Sequence, residues 1–328
     1  MNSNKNILII FGLHTSSKQK YYSTLNNIKQ LHKHAKNIIC IDSIENKYFG
    51  LKEAILDQYD NVDFYYIKND PLLLDVAKWI YGLEKEDYLK YDFIVLINDS
   101  ICIARPITDF FEMIYINNAE LYGMIDSFDW GYHFQSFLRA FNKDGISKFI
   151  RYYYNNYHNV QTSIQTIKTF EVEITNIFTK INSLFSIKKV LNRATKLHKL
   201  KSKIKYYYYF IIDMDRRYFR SRKLCNLHFN ERIYKYFLFT LNYPIIKLKK
   251  VNSYFYPINY KLNEKDFKPI VYQNMHWDLC DIPTKDLMKH FYESGIREGR
   301  KYKPTQENCP PPYMKEYIIK QNLDFLLS

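Results

Sequence analysis

Glycine is scarce, at 8 of 328 residues, and none of it forms a phosphate-binding loop. The first apolar run ends in Phe11-Gly12-Leu13-His14, which fits neither G-x-G-x-x-G nor G-x-x-x-x-G-K-[ST]. A dinucleotide oxidoreductase, a P-loop enzyme and an ordinary methyltransferase are therefore not expected. The G-x-S-x-G nucleophile elbow is missing as well. Cysteine is thin: Cys40, Cys102, Cys225, Cys280 and Cys309 are scattered and include no C-x-x-C pair. That argues against a disulfide framework and a thiolate zinc site, and fits a reducing cytoplasm. No run of about 18 uncharged apolar residues occurs, so no transmembrane helix is expected. The start, MNSNKNILIIFG, lacks a small-residue cleavage site and reads as a first strand, not a signal peptide.

What is there is enough for a folded protein. Apolar residues make up 47% and charged residues 25%, so a sizeable core can be buried. The formal charge is +14, and all of the excess sits in one place. Residues 180–250 hold 19 Lys or Arg against 3 acids, and the rest of the chain is close to neutral. Three readings compete for this basic segment. It could be a solvated helical insertion, or it could attract phosphates, either of a nucleotide ligand or of an anionic membrane surface. The third reading is nucleic-acid binding, with Tyr206 to Phe210 as a stacking platform. Nucleic acid is the least expected partner, because no recognised nucleic-acid module accompanies the charge.

Short apolar runs alternate with helical patterns through the first half, the signature of a layered α/β sheet. Strands are expected at Asn6 to Gly12, Asn37 to Asp42, Val62 to Lys68 and Asp92 to Asp99. Asp70-Pro71 has the form of an N-cap and first helical residue, predicting a helix from there through Trp79 to Leu83. Further strands are expected at Glu120 to Asp126 and His133 to Phe141, then helices from Asp144 to Tyr157, Phe170 to Phe178, Asn230 to Leu241 and Thr284 to Ser294. An open sheet of this kind binds its ligand at the carboxyl ends of its strands. Strand 4 is continuously apolar, as a buried central strand is, and stops abruptly at Asn98-Asp99-Ser100. A carboxylate there could hold a divalent cation against a diphosphate, or merely cap the following turn.

Seven fragments, in order, resemble the rhamnan-synthesis-F type of glycosyltransferase. They are Asn69; Asp75-Val76-Ala77-Lys78-Trp79-Ile80-Tyr81-Gly82-Leu83; Leu96-Ile97-Asn98-Asp99-Ser100; and Ile125-Asp126-Ser127 with His133-Phe134-Gln135-Ser136-Phe137. Phe170-Glu171-Val172-Glu173-Ile174-Thr175, Asn226-Leu227-His228-Phe229 and Tyr243-Pro244-Ile245-Ile246-Lys247 complete the set. The family's Phe-Gly is replaced by Val76-Ala77, and one of its glycines by Glu173.

The resemblance implies a GT-A-like, Rossmann-like mixed α/β sheet flanked by helices. It covers a domain of residues 1–250; the basic helical insertion at 182–224 is not part of the family pattern, and the C-terminal extension at 251–328 shows no resemblance. It implies transfer of a sugar, such as L-rhamnose or another deoxysugar, from a dTDP- or UDP-sugar donor to a glycan or lipid-linked glycan hydroxyl. By family match, Asn69, Asp75, Asn98, Asp99 and Ser100 bind the nucleotide sugar. His133 and Gln135 line the acceptor or sugar pocket. Glu171 is the catalytic base, with Asp126 and Asp129 as competitors for proton transfer or orientation. Asp99 and His228 would hold Mg2+ or Mn2+, with His276 a rival to His228. The usual D-x-D pair is reduced here to one carboxylate. The alternative is an inactive relative that binds an anionic membrane surface or nucleic acid through 182–224.

Overall fold

The computed structural model describes residues 6–128, 130–187, 234, 237–251, 267, 269, 272–273, 279, 282–295 and 312–327. The chain divides into two compact units, one of residues 1–248 with 317–326 and 328, the other of 249–316 with 327. Most of the basic segment, and His228, His276 and Asp129, lie outside the described residues.

The expected α/β architecture is present in the first unit. An eight-stranded mixed sheet is flanked by helices and runs in the order β3-β2-β1-β4-β8-β6-β7, with β9 paired to β6. Its parallel half is β1 (Ile7–Gly12), β2 (Asn37–Ser43), β3 (Val62–Ile67) and β4 (Phe93–Asn98). Every residue of β1 and β4 is buried, which explains why these strands read as unbroken apolar runs. Beyond β4, the strand β8 (Leu138–Asn142) is antiparallel to both β4 and β6 (Leu121–Ser127). Strand β9 (Ile181–Phe185) runs parallel to β6, and the two-residue β7 (His133–Phe134) antiparallel to it. The carboxyl ends of β1, β2, β3, β4, β6 and β9 thus share one edge of the sheet.

Helix α1 (Lys18–Leu31) follows β1, capped by the Ser17 side chain, which accepts from the Lys20 amide. After a short α2 (Leu51–Leu56), helix α3 (Asp75–Lys85) packs on β1 and β2. Trp79 on α3 is buried and donates its indole N–H to the Ile97 carbonyl at 2.9 Å. Helices α4 (Thr108–Ile116) and α5 (Lys143–Asn156) follow, α5 packing on β8. A two-stranded sheet pairs β5 (Ile101–Ile103) antiparallel with β10 (Ile245–Lys247), bringing residue 247 opposite residue 101. At the far end of the chain, the Tyr317 hydroxyl donates to the Tyr243 carbonyl at 3.1 Å and Gln19 Nε2 to Leu326 O at 2.9 Å.

Two local expectations are corrected. No helix starts at Asp70-Pro71. The Asp70 carboxylate instead accepts from the amides of Leu72 and Leu73, both at 2.8 Å, and closes a turn. Leu74 then takes φ 54°, ψ −132°, which no helix continues through, so α3 begins at Asp75. The strand expected over His133 to Phe141 is broken at 135–137, because β7 pairs with the end of β6 while β8 pairs with its beginning.

The second unit has its own apolar cluster of Phe267, Tyr272, Leu279, Leu287 and Phe291. The helical stretch expected at Thr284 to Ser294 is there as three consecutive turns of differing pitch, Thr284–Asp286, Leu287–His290 and Phe291–Gly295.

Candidate active site

The shared edge carries two groups of polar residues. The first is a hydrogen-bond network anchored on the Asn98-Asp99-Ser100 turn. Asn98 donates through Nδ2 to Asp75 Oδ2 at 2.9 Å, and accepts at Oδ1 from the Ser100 hydroxyl at 2.6 Å. Asp99 is nearly fully buried, and its Oδ2 accepts the His14 amide at 2.7 Å and the Lys20 ammonium at 3.0 Å. The His14 ring lies 3.0 Å from Ser43 Oγ, which in turn donates to Asn69 Oδ1 at 3.3 Å. Asn69, Asp75, Asn98, Asp99 and Ser100, the five residues expected to bind the nucleotide sugar, therefore fall in two hydrogen-bonded sets, Asp75-Asn98-Ser100 and Asp99-His14-Ser43-Asn69, joined through the backbone of the turn.

Several members of this network were not expected from sequence. Strand ends at this edge put His14 after β1, and Asp42 and Ser43 at the end of β2. Asp42 is fully buried and accepts from the Thr15 and Ser43 amides at 3.1 and 2.7 Å and from Asn46 Nδ2 at 3.2 Å. The signal that would have found them is the rule that parallel strands present ligand-binding residues just past their carboxyl ends.

Burial shapes the electrostatics. Burial first, and the neighbouring Asp99 second, push the Asp75 carboxyl up to about 6. The Lys78 ammonium, 2% exposed, donates to the Leu13 carbonyl, and burial pulls its pKa down while Asp75, Asp99 and Asp42 oppose that. The His14 ring is likewise held below its usual value, by burial and then by Lys20 and Lys78.

The second group surrounds Glu171. This residue sits on a wide helical turn, Lys168–Val172, of the π type that interrupts regular helix and recurs at functional sites. Its Oε1 lies 3.9 Å from His133 Nε2 and accepts the Ser136 amide at 3.4 Å. Gln135 Nε2 is 3.4 Å from the same ring nitrogen, and His133 Nδ1 is 2.9 Å from the Gly131 carbonyl. Burial lowers the His133 pKa, with Glu171 acting against it. Beneath this group the fully buried Arg139 guanidinium donates to the carbonyls of Phe134, Phe170 and Glu171, the last at 2.7 Å. Glu171, His133 and Gln135 are thus brought together.

Asp126 is placed differently. It is fully buried, and its two oxygens accept the Ser186 hydroxyl and the Ile187 amide, both at 2.6 Å, which fastens the chain leaving β9 to the end of β6.

The two groups adjoin. The Asn98 amide donates to the Phe137 carbonyl at 3.2 Å, and Lys247 Nζ lies 4.4 Å from the centre of the Phe137 ring. Segment 135–137, where the expected strand breaks, is what connects them.

Of the two residues expected to hold a metal ion, Asp99 is described and His228 is not. No group of three His, Cys, Asp or Glu among the described residues could hold an ion, and Asp99 Oδ2 is engaged by an ammonium and an amide. Nor is any described helix long and apolar enough to cross a membrane.

No family model matches the chain, and no curated protein does. Among solved structures it is similar to the apo-form glycosyltransferase GlyE of Streptococcus pneumoniae TIGR4, with a TM-score of 0.40, 14% identity, and 93% of this chain and 66% of that one covered. It is also similar to the galactosyltransferase LgtC in complex with donor and acceptor sugar analogues, with a TM-score of 0.34 and 12% identity over 54% of this chain and 72% of that one. A third is 4-diphosphocytidyl-2C-methyl-D-erythritol synthase of Anaerococcus prevotii, with a TM-score of 0.38 and 15% identity over 56% and 89%.

Proposed function

We propose that the chain is a GT-A-like glycosyltransferase that moves a sugar from a nucleotide-sugar donor to a hydroxyl of a glycan or lipid-linked glycan. The observation that carries this reading is the adjacency of the two polar groups at one sheet edge. The network of Asn69, Asp75, Asn98, Asp99 and Ser100 suits the donor's hydroxyls and diphosphate. Beside it, Glu171 with His133 and Gln135 suits an acceptor. The ordered resemblance of the same residues to the rhamnan-synthesis-F type of glycosyltransferase supports the assignment and favours a deoxysugar such as L-rhamnose carried on dTDP or UDP.

The reaction is a direct displacement with inversion. The acceptor oxygen forms a bond to the anomeric carbon as that carbon's bond to the diphosphate oxygen breaks. The acceptor proton passes to the Glu171 carboxylate, and the nucleoside diphosphate leaves with the electron pair. A positioned carboxylate in this role contributes typically 10²–10⁴-fold. The Ser136 amide donates to that carboxylate at 3.4 Å, which keeps the base oriented before the acceptor arrives.

The test is release of nucleoside diphosphate from a panel of nucleotide sugars, with and without added acceptor glycans. Turnover of one donor that is lost in Glu171→Gln supports the reading. A folded protein that neither binds nor turns over any donor overturns it.

A further inference from the structure

Resting on the nucleotide-sugar reading above, the geometry points to Lys20, with Lys78 and Lys247, as the counter-charge for the donor's diphosphate, so that diphosphate binding at this site does not require a divalent cation. The residues present set the problem. A leaving nucleoside diphosphate needs positive charge beside it. The Asn98-Asp99-Ser100 turn supplies a single carboxylate, and that carboxylate is engaged by Lys20.

Three ammonium groups come from three separate elements, two to the turn and one to the neighbouring end of β1. Lys20 comes from the first turn of α1. Its Nζ is 3.0 Å from Asp99 Oδ2 and 2.9 Å from the His14 carbonyl. Lys78 comes from α3 and donates to the Leu13 carbonyl, just past the end of β1. Lys247 arrives through the β5–β10 pair and donates to Ser100 Oγ at 3.0 Å.

Two of these placements carry a cost, which the carboxylates already beside them offset in part. A lysine in the first helical turn opposes the helix dipole, and α1 has no acidic residue there to offset it. A nearly fully buried ammonium loses most of its hydration. An anion held among these groups would offset both costs further, and beside buried groups the attraction exceeds its value in water. An ammonium has three donors. Lys20 spends two on His14 and Asp99, which leaves one for a phosphate oxygen without breaking the ion pair that aims it.

The experiment is calorimetric titration of UDP, dTDP and GDP, and of the matching nucleosides, into metal-stripped protein. It is run in EDTA and again with Mn2+, on wild type, Lys20→Ala, Lys20→Arg and Lys247→Ala. The expected result is diphosphate binding in EDTA within about threefold of that in Mn2+. Lys20→Ala should weaken it at least tenfold, Lys20→Arg should retain most of it, and nucleoside binding should be unchanged. Diphosphate binding that appears only with Mn2+, or that Lys20→Ala leaves intact, overturns the inference while the nucleotide-sugar reading stands. No binding of any diphosphate under either condition overturns that reading itself.

Discussion

His133 and Glu171 approach to 3.9 Å on the wall that adjoins the Asn98 turn, so the carboxylate acts on the ring against the effect of burial. Burial keeps the imidazole below its usual pKa, which leaves it neutral at pH 7 and leaves the carboxylate free of a competing cation. Glu171→Gln is expected to lower kcat by about 10²–10⁴-fold with little change in donor KM. Steady-state measurement of nucleoside diphosphate release checks this, and a variant within a few-fold of wild type would remove Glu171 from the base role.

Asp75 makes stability depend on pH. Its folded-state pKa is about 6 against 3.8 for an unperturbed carboxyl. Between those values the folded protein holds a proton that the unfolded chain has released. This contribution is fully present below about pH 4 and is lost as pH rises through about 6. Asp75→Asn is expected to flatten that part of the profile and to raise stability at pH 7 by about 1–2 kcal/mol, less than the full shift because the residue is only partly buried. Thermal melts of both proteins from pH 4 to pH 7.5 are the measurement.

Gly145 sits in the first turn of α5, where alanine ordinarily favours a helix by up to about 1 kcal/mol. A Cβ there would stand 1.9 Å from the Glu120 carbonyl oxygen and 2.8 Å from its carbon, backbone atoms that cannot yield as a flexible side chain would. Gly145→Ala is therefore expected to destabilise by about 2 kcal/mol or more. Urea unfolding reports the outcome, and a neutral or stabilised variant would mean that α5 sits farther from Glu120.

Arg139→Met removes three donors from buried carbonyls on β7 and on the Glu171 turn. Leaving such acceptors unpaired costs about 1–3 kcal/mol each before relaxation. Hydrogen exchange at residues 168–173 should accelerate more than exchange in β1 and β4. Uniform acceleration would show that Arg139 supports the whole sheet and not this turn.

The sequence made the parallel half of the fold readable because β1 and β4 are buried on both faces and so cannot alternate. It also exposed Asp99, since a carboxylate that ends such a run is conspicuous. Lys20 was hidden: it lies 79 positions from Asp99 in the chain, and only the path of the β1–α1 connection brings it back. Lys247 stands within the Tyr243-to-Lys247 motif, yet its position beside Ser100 depends on β5 and β10, three-residue strands with no periodicity to detect. The start of α3 misled because Asp70-Pro71 is a sound local helix signal, and it was overruled by the left-handed backbone of Leu74. The break at 135–137 was likewise invisible, because which part of β6 each flanking segment pairs with is a tertiary choice.

The order in which the edge is assembled follows the order of the chain. Residues that end β1 to β4 come from the first hundred positions, the Glu171 group from 131 to 171, and the third ammonium from 247. During synthesis, domains take shape from the N-terminus. The residues of the Asn98 network are thus translated before the Glu171 group, except Lys247, which takes its place only once the chain has doubled back to lay β10 along β5.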